Sequence, residues 1–271
     1  MINDNSCSLR QRRNGKDNTV CCLVFDCDEE EPNAGIFLDL ENIAEEPVMV
    51  PVTAVDNNKC TFCGKCQEIC QFNAITVLKE KVLIFDELCH SCGGCEKACP
   101  EKAISEIGKP IGAIKQAQAK SLSFVQGKLD IGRAMSPPLI RAVKNRIENS
   151  MLNIIDCPPG NSCPVITAVN GADYIILVTE ASPFGLHDLK LAVDAFIGLN
   201  IPFGVIINRA TENYQEVNAY CTQQNINILL EIPENLEVAK AYSSGHTLLE
   251  AMPQLKPEIK KIISDIREGC A

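Results

Sequence analysis

Cys60-Thr-Phe-Cys63-Gly-Lys-Cys66-Gln-Glu-Ile-Cys70 is followed nineteen residues later by Cys89-His-Ser-Cys92-Gly-Gly-Cys95-Glu-Lys-Ala-Cys99-Pro100. Each run has the form C-x2-C-x2-C-x3-C. Moving the first run by 29 positions lands every cysteine on a cysteine, Gly64 on Gly93, and Ala74-Ile75 on Ala103-Ile104. The segment is an internal repeat.

Three thiolates on a tight loop can hold three corners of an iron–sulfur cube, and the fourth ligand must come from elsewhere. The spacing is that of a bacterial 4Fe–4S ferredoxin, in which the fourth cysteine of each run serves the other cluster. That rule assigns Cys60, Cys63, Cys66 and Cys99 to one cluster, and Cys89, Cys92, Cys95 and Cys70 to the other. Zinc is the competing reading. It usually takes two C-x2-C pairs, often with histidine, and requires neither the third cysteine at the x2 step nor the fourth at x3. Gln71 stands where Pro100 stands in the second half, but proline turns the chain and is no ligand. His90 reads as a loop neighbour of a cluster.

The chain has 271 residues, 46% of them hydrophobic, enough for one large or two modest domains. Sixteen cysteines would suggest disulfides in a small secreted protein. Here eight belong to the two runs, and the N-terminus has no apolar core of a signal peptide. No stretch reaches the roughly 18 apolar residues of a membrane span. A reducing, cytoplasmic location is expected. The formal net charge of −10 argues against nucleic acid as a partner, which needs a basic footprint. Eleven acidic residues and no lysine or arginine lie between Asp17 and Asn58. A solvated face accounts for most of such a run.

Residues 1–19 are polar and basic, without periodic pattern. The apolar run Thr19–Phe25 predicts a buried parallel strand, ending in Asp26-Cys-Asp28-Glu-Glu-Glu-Pro-Asn33. A second extended segment is expected over about Pro47–Val55. Beyond Ile107, Gly108, Pro110 and Gly112 read as a joint, followed by a strand over Ser121–Leu129. Pro137-Pro138 opens a helix with Leu139, Ile140, Val143 and Ile147 at helical spacing. Strands are expected at Met151–Ile155, Tyr174–Thr179, Phe203–Ile207 and Ile226–Ile232. Helices are expected at Phe184–Leu199, Glu212–Gln224, Glu234–Ser243 and about Pro257–Arg267. This alternation predicts a doubly wound, mostly parallel α/β sheet, interrupted by the cysteine-rich block as an inserted domain. The expected boundaries are 1–58 and 108–271 for the scaffold and 59–107 for the insert.

Asp156 follows an apolar strand and precedes Pro-Pro-Gly160; an acid there can hold Mg²⁺ through water, and a glycine amide can approach a terminal phosphate. Together with Asp26-x-Asp28 and Asn208-Arg209, this resembles the MinD/ParA-type P-loop ATPases, most closely the subgroup with an inserted two-cluster ferredoxin domain. The resemblance also rests on Ser136-Pro-Pro-Leu-Ile-Arg141, Thr179-Glu-Ala-Ser-Pro-Phe-Gly-Leu-His-Asp188, and Ile232-Pro233-Glu-Asn235 leading to Ala239-x-x-Tyr242-Ser-Ser-Gly245. It implies that Asp28 places the attacking water, Asp156 serves Mg²⁺, Gly160 faces the γ-phosphate and Asn208 reads the adenine. Pro233 and the segment after Ile232 would line the base pocket. His187 and His246 read as surface or packing residues.

The sequence departs from that family at one place. The expected strand, glycine-rich K-G-G-x-G-K-[ST] loop and helix have no counterpart; the nearest text is Arg12-Arg-Asn-Gly15-Lys16-Asp-Asn-Thr19. A phosphate loop needs glycines so that several amides can close around the phosphates, with a helix N-terminus behind them. A truncated or rearranged N-terminus is therefore expected. The expected function is cluster-based: electron transfer or iron–sulfur handling, ATP-coupled in intact relatives. A non-hydrolysing ferredoxin-type carrier and a cluster-delivering scaffold are the alternatives. Expected cofactors are two 4Fe–4S clusters, with ATP and Mg²⁺ as implied by the resemblance. Expected partners are a basic redox partner or iron–sulfur acceptor protein, and a second copy in a homodimer.

Overall fold

Short apolar runs rich in β-branched residues form the strands, and their alternating burial decides which face each side chain meets. The computed structural model describes residues 5–10, as backbone, and residues 22–269 apart from 120, 121 and 134. The strands are β1 (Asn5–Arg10), β2 (Cys22–Asp26), β3 (Glu41–Val55), β4 (Ile75–Leu78), β5 (Lys81–Ile84), β6 (Ile104–Ala119), β7 (Leu122–Leu129), β8 (Leu152–Pro159), β9 (Tyr174–Glu180), β10 (Phe203–Ala210) and β11 (Asn227–Pro233). Among the described residues, a nine-stranded sheet runs in the order β11-β10-β9-β1-β8-β2-β7-β6-β3. β2, β3 and β7 to β11 point one way; β1 and β6 point against them.

Both faces are covered. Ile155, Ile175, Leu177, Val205 and Ile207 face a core built with α3 (Pro137–Lys144), α4 (Cys163–Val169), α5 (Pro183–Ile197) and α6 (Glu216–Gln223). Their neighbours Ile154, Ile176 and Ile206 face a second core with α8 (Leu248–Ala251) and α9 (Lys256–Gly269), joined by Val238 of α7 (Leu236–Ser243). A one-residue slip of register would exchange the two sets, and each buried aliphatic contributes about 1.5–3 kcal/mol. The doubly wound α/β architecture follows from this alternation.

Several expectations need correction. Residues 5–10, read as patternless, form a central strand between β8 and β9, antiparallel to both. Gly108, Pro110 and Gly112 mark no joint but lie inside β6. Opposite them Val48 pairs with Gly112 and Met49 with Pro110, so Ile111 is the extra residue of a β-bulge, a setting that tolerates a proline. Pro47 and Pro51 are tolerated because β3 is the sheet's edge strand. The extended segment is longer than Pro47–Val55. Helix α4 and the hairpin β4–β5 were not anticipated. The Arg12–Thr19 text lies outside the described residues.

The acidic run divides in two. Glu41, Glu45 and Glu46 are exposed along the edge strand, where charge discourages strand addition by another chain. Asp26, Asp28 and Glu29 are buried at the end of β2 and are no solvated face.

The antiparallel pair β3–β6 runs from Glu41 opposite Gln118 to Val55 opposite Ile104, and the cysteine-rich block is strung between those last two residues. The same two strands thus belong to the main sheet and to the insert.

Candidate iron–sulfur and nucleotide sites

The 29-residue repeat is written into the backbone of the insert. Phe62 and Ser91, Gly64 and Gly93, and Asn73 and Lys102 all adopt positive φ, each pair separated by the repeat length. Gly64 and Gly93 precede two short helices, α1 (Lys65–Ile69) and α2 (Gly94–Ala98). At Gly64 a side chain would meet nothing, so the left-handed conformation itself, and not crowding, is what favours glycine. Cys66 and Cys95 are buried with Ile75 and Ile104 in a small core of their own.

Two small cavities of about 20 and 30 Å³, each partly open to solvent, lie in this block. Their similar size is what one repeat should produce. The first is lined by Cys60, Cys63, Cys66 and Cys99, the second by Cys70, Cys89, Cys92 and Cys95. Each quartet therefore takes its fourth thiol from the other run. All eight cysteines are free thiols. Cys63 and Cys92 are exposed, which brings one edge of each cavity to the surface.

Four thiols around one cavity suit a 4Fe–4S cube, and several hydrogen-bond donors already point at the sulfurs. The amide of Phe62 donates to Cys60 Sγ at 3.4 Å; Ala74 donates to Cys70 and Ala103 to Cys99, both at 3.3 Å. The last two are again one repeat apart. Burial raises the Cys66 and Cys95 thiols above the ordinary cysteine range, and at Cys95 a hydrogen bond with Thr53 opposes that shift. Thr53 Oγ1 lies 3.1 Å from Cys95 Sγ and 4.0 Å from Cys89 Sγ. Thr53 was missed in the sequence because it precedes the first motif. His90 stacks on Phe72, with ring centroids 3.6 Å apart, beside the second cavity.

The residues that the resemblance assigns to a nucleotide lie along the carboxyl ends of the parallel strands, where open α/β sheets bind ligands. Asp26 of β2 stands opposite Asp156 of β8, and the Cys27 amide donates to the Asp156 carbonyl at 2.9 Å. Asp26 accepts hydrogen bonds from the Asp28 and Ala34 amides and from Gln126 Nε2. Burial, reinforced by Asp26 and Glu29, pushes the Asp28 carboxyl up to about 6. Gly160, at positive φ, follows the end of β8, next to an open cleft of about 500 Å³ that also touches Asn161, Thr179 and Asp188. Asn208 is buried at the end of β10, paired with Glu180. Pro233 ends β11 opposite Ala210. Arg209 bridges Glu180 and Glu234 across that corner. Asn208 and Gly160 stand on strands three steps apart, about 14 Å at the usual strand spacing.

Residues 59–104 match the 4Fe-4S dicluster domain family. Among curated proteins, the chain is 27% identical to the uncharacterized protein MJ0578 of Methanocaldococcus jannaschii, covering 91% of this chain and 86% of that protein. It is 26% identical to MJ0579 of the same organism, over 84% and 80%. Among solved structures it is similar to the MinD cell division protein of Aquifex aeolicus (17% identity, 92% of this chain, 83% of that one, TM-score 0.46). It is also similar to the cell division ATPase MinD of Pyrococcus furiosus (14%, 93% and 86%, TM-score 0.46). A putative plasmid partition protein of Borrelia burgdorferi, bound to AMPPNP, is 12% identical over 90% and 86%, with a TM-score of 0.47. The dicluster-type segment lies between β3 and β6. No helix among the described residues is long and apolar enough to cross a membrane.

Proposed function

We propose that this chain is an electron-transfer protein holding two 4Fe–4S clusters, with residues 59–107 as the cluster domain and 1–58 and 108–271 as its scaffold. The observation that carries the reading is the composition of the two cavities, each lined by three cysteines of one run and the fourth of the other. Cys60, Cys63, Cys66 and Cys99 would hold one cluster, and Cys70, Cys89, Cys92 and Cys95 the other. When bound, each supplies a site that takes up and gives back a single electron. The protein's own part is to fix the thiolates, donate hydrogen bonds to their sulfurs and keep the inner side of each site dry. Retention favours electron transfer over cluster delivery, because releasing either cluster requires both runs to open at once. The surface positions of Cys63 and Cys92 give a partner access. The free thiols suit a reducing compartment such as the cytoplasm.

Anaerobically prepared protein should contain about eight iron and eight sulfide per chain, as two cubes require. Reduction should produce the paramagnetic signal of reduced cubes. Stoichiometric zinc without labile sulfide would overturn the reading.

A nucleotide site is the second reading, favoured by Asp26, Asp28, Asp156 and Gly160 at one sheet edge and Asn208 and Pro233 farther along it. Asp156 would hold Mg²⁺ through water, Asp28 would orient an attacking water, and Asn208 would read the base. Equilibrium binding of a fluorescent ATP analogue, with and without Mg²⁺, tests it. A Kd unchanged by Asp156→Ala would remove Asp156 from the site.

A further inference from the structure

The two halves of the insert are related by 29 residues, and their strands carry the same relation. In the first half β4 pairs with β5, with Ile75 opposite Ile84 and Val77 opposite Val82. In the second half the start of β6 pairs with the end of β3, with Ile104 opposite Val55 and Glu106 opposite Thr53. Val77 and Glu106 are one repeat apart, so their partners Val82 and Thr53 hold equivalent places. Each lines its own cavity, Val82 beside Cys66 and Thr53 beside Cys95. Valine and threonine are nearly the same shape, and the hydroxyl is the difference between them. At Thr53 it lies 3.1 Å from Cys95 Sγ; at Val82 there is a methyl group and no donor.

We propose that Thr53 sets the reduction potential of the cluster held by Cys70, Cys89, Cys92 and Cys95, by donating to Cys95 Sγ a hydrogen bond that Val82 denies the other cluster. This rests on the two-cluster reading above. A ligating cysteine has lost its proton, so the threonine hydroxyl is the donor and the sulfur the acceptor. Reduction adds one electron and no atom, and the added negative charge spreads onto the sulfurs. A buried donor aimed at one of them stabilises the reduced state more than the oxidised, and so raises the potential. Glu106 lies on the same rim with the opposite sign, but its carboxylate is exposed and screened by water, whereas the Thr53 hydroxyl is buried.

The experiment is a redox titration of the whole chain against dithionite, followed by the signal of the reduced clusters, with iron and sulfide measured on each sample. Thr53→Val should lower one midpoint and leave the other in place, cutting the reduced-to-oxidised ratio of that cluster about tenfold at fixed potential. That is about 59 mV for a one-electron couple. Thr53→Ser, which keeps the hydroxyl, should stay near the parent. Val82→Thr should raise the other midpoint, and this gain tests the idea even where Thr53→Val loses its cluster. Unmoved midpoints in both valine–threonine exchanges, with iron content intact, would overturn the inference and leave the clusters standing. So would a serine variant that shifts as far as the valine one. A chain without iron or sulfide would overturn the two-cluster reading itself.

Discussion

Arg10, the last residue of β1, pairs with Asn153 at the amino end of β8, while Asn5, the first, pairs with Pro159 at the carboxyl end. A strand that delivers a phosphate loop must end where Asp26, Asp156 and Gly160 gather. This one ends opposite Asn153, three strand residues (about 10 Å) short of the level of Asp26 and Asp156 and seven (about 23 Å) short of Gly160. Phosphoryl transfer depends on positioning and charge stabilisation, much of it from the phosphate loop and its lysine. Loss of a single such donor typically costs about 10²–10³ in rate. The 271-residue chain is therefore expected to release no phosphate from ATP above background. Mg²⁺-dependent turnover that Asp156→Ala abolishes would contradict this.

The exchange of the fourth cysteine between the two cavities gives Cys99→Ser a distinctive expected outcome. Its neighbours in sequence are Cys92 and Cys95, yet it shares a cavity with Cys60, Cys63 and Cys66. Iron should fall from about eight towards four per chain, as one cube of two is lost, and the surviving signal should be that of the cluster sensitive to Thr53. Loss of the cluster of Cys89, Cys92 and Cys95 instead would reverse the assignment.

The exposed Glu41, Glu45 and Glu46 line the edge strand that leads to the cysteine-rich block. A basic redox partner would be steered towards such a surface. Raising ionic strength from 0.01 to 0.15 M shortens the screening length from about 30 to about 8 Å, so the second-order rate of electron exchange should fall several-fold. A rate flat across that range would remove electrostatic steering.

Gly112 has no room for a side chain: a methyl there would overlap the Lys128 carbonyl oxygen on β7. Gly112→Ala should destabilise the protein by about 1–3 kcal/mol, the usual range for overpacking, and lower its melting temperature under anaerobic conditions. Gly132→Ala, at an open turn with positive φ, should cost less, about 1–2 kcal/mol. A Gly112→Ala melting temperature equal to the parent's would mean that crowding at β6 contributes nothing.

Asp28 carries its proton more tightly in the folded chain, up to about 6, than the ordinary aspartate near 3.8. Between those values the folded state binds more protons than the unfolded one, so this group's contribution to stability falls as pH rises from about 4 to 6. Asp28→Asn should raise the anaerobic melting temperature at pH 7.5 and change it little at pH 4. A variant destabilised at pH 7.5 would show instead that the carboxylate is held by a favourable partner.

The grouping of the eight cysteines around two cavities was legible because the same local spacing recurs after 29 residues. The scaffold was legible where burial alternates, as at Ile154–Ile155 and Ile175–Ile176. Asn5–Arg10 was not, because six mixed residues become a strand only through their neighbours β8 and β9. Helix α4 was hidden by β-branched Val165, Ile166 and Thr167, which favour strands until packing decides otherwise. Gly108, Pro110 and Gly112 usually punctuate, and only the pairing with β3 and β7 shows that here they shape a bulge and a close approach. Thr53 could not be found from spacing at all, since its role depends on a partner 42 residues away.

The shared ribbon of β3 and β6 has a mechanical consequence. Fifteen residues of β3 extend about 50 Å, and its hydrogen bonds with β6 run from the body of the sheet to the doorstep of Cys60. The register is continuous from Pro51 opposite Gly108 to Val55 opposite Ile104, so the cysteine-rich block cannot slide relative to the main sheet without breaking backbone hydrogen bonds of that ribbon.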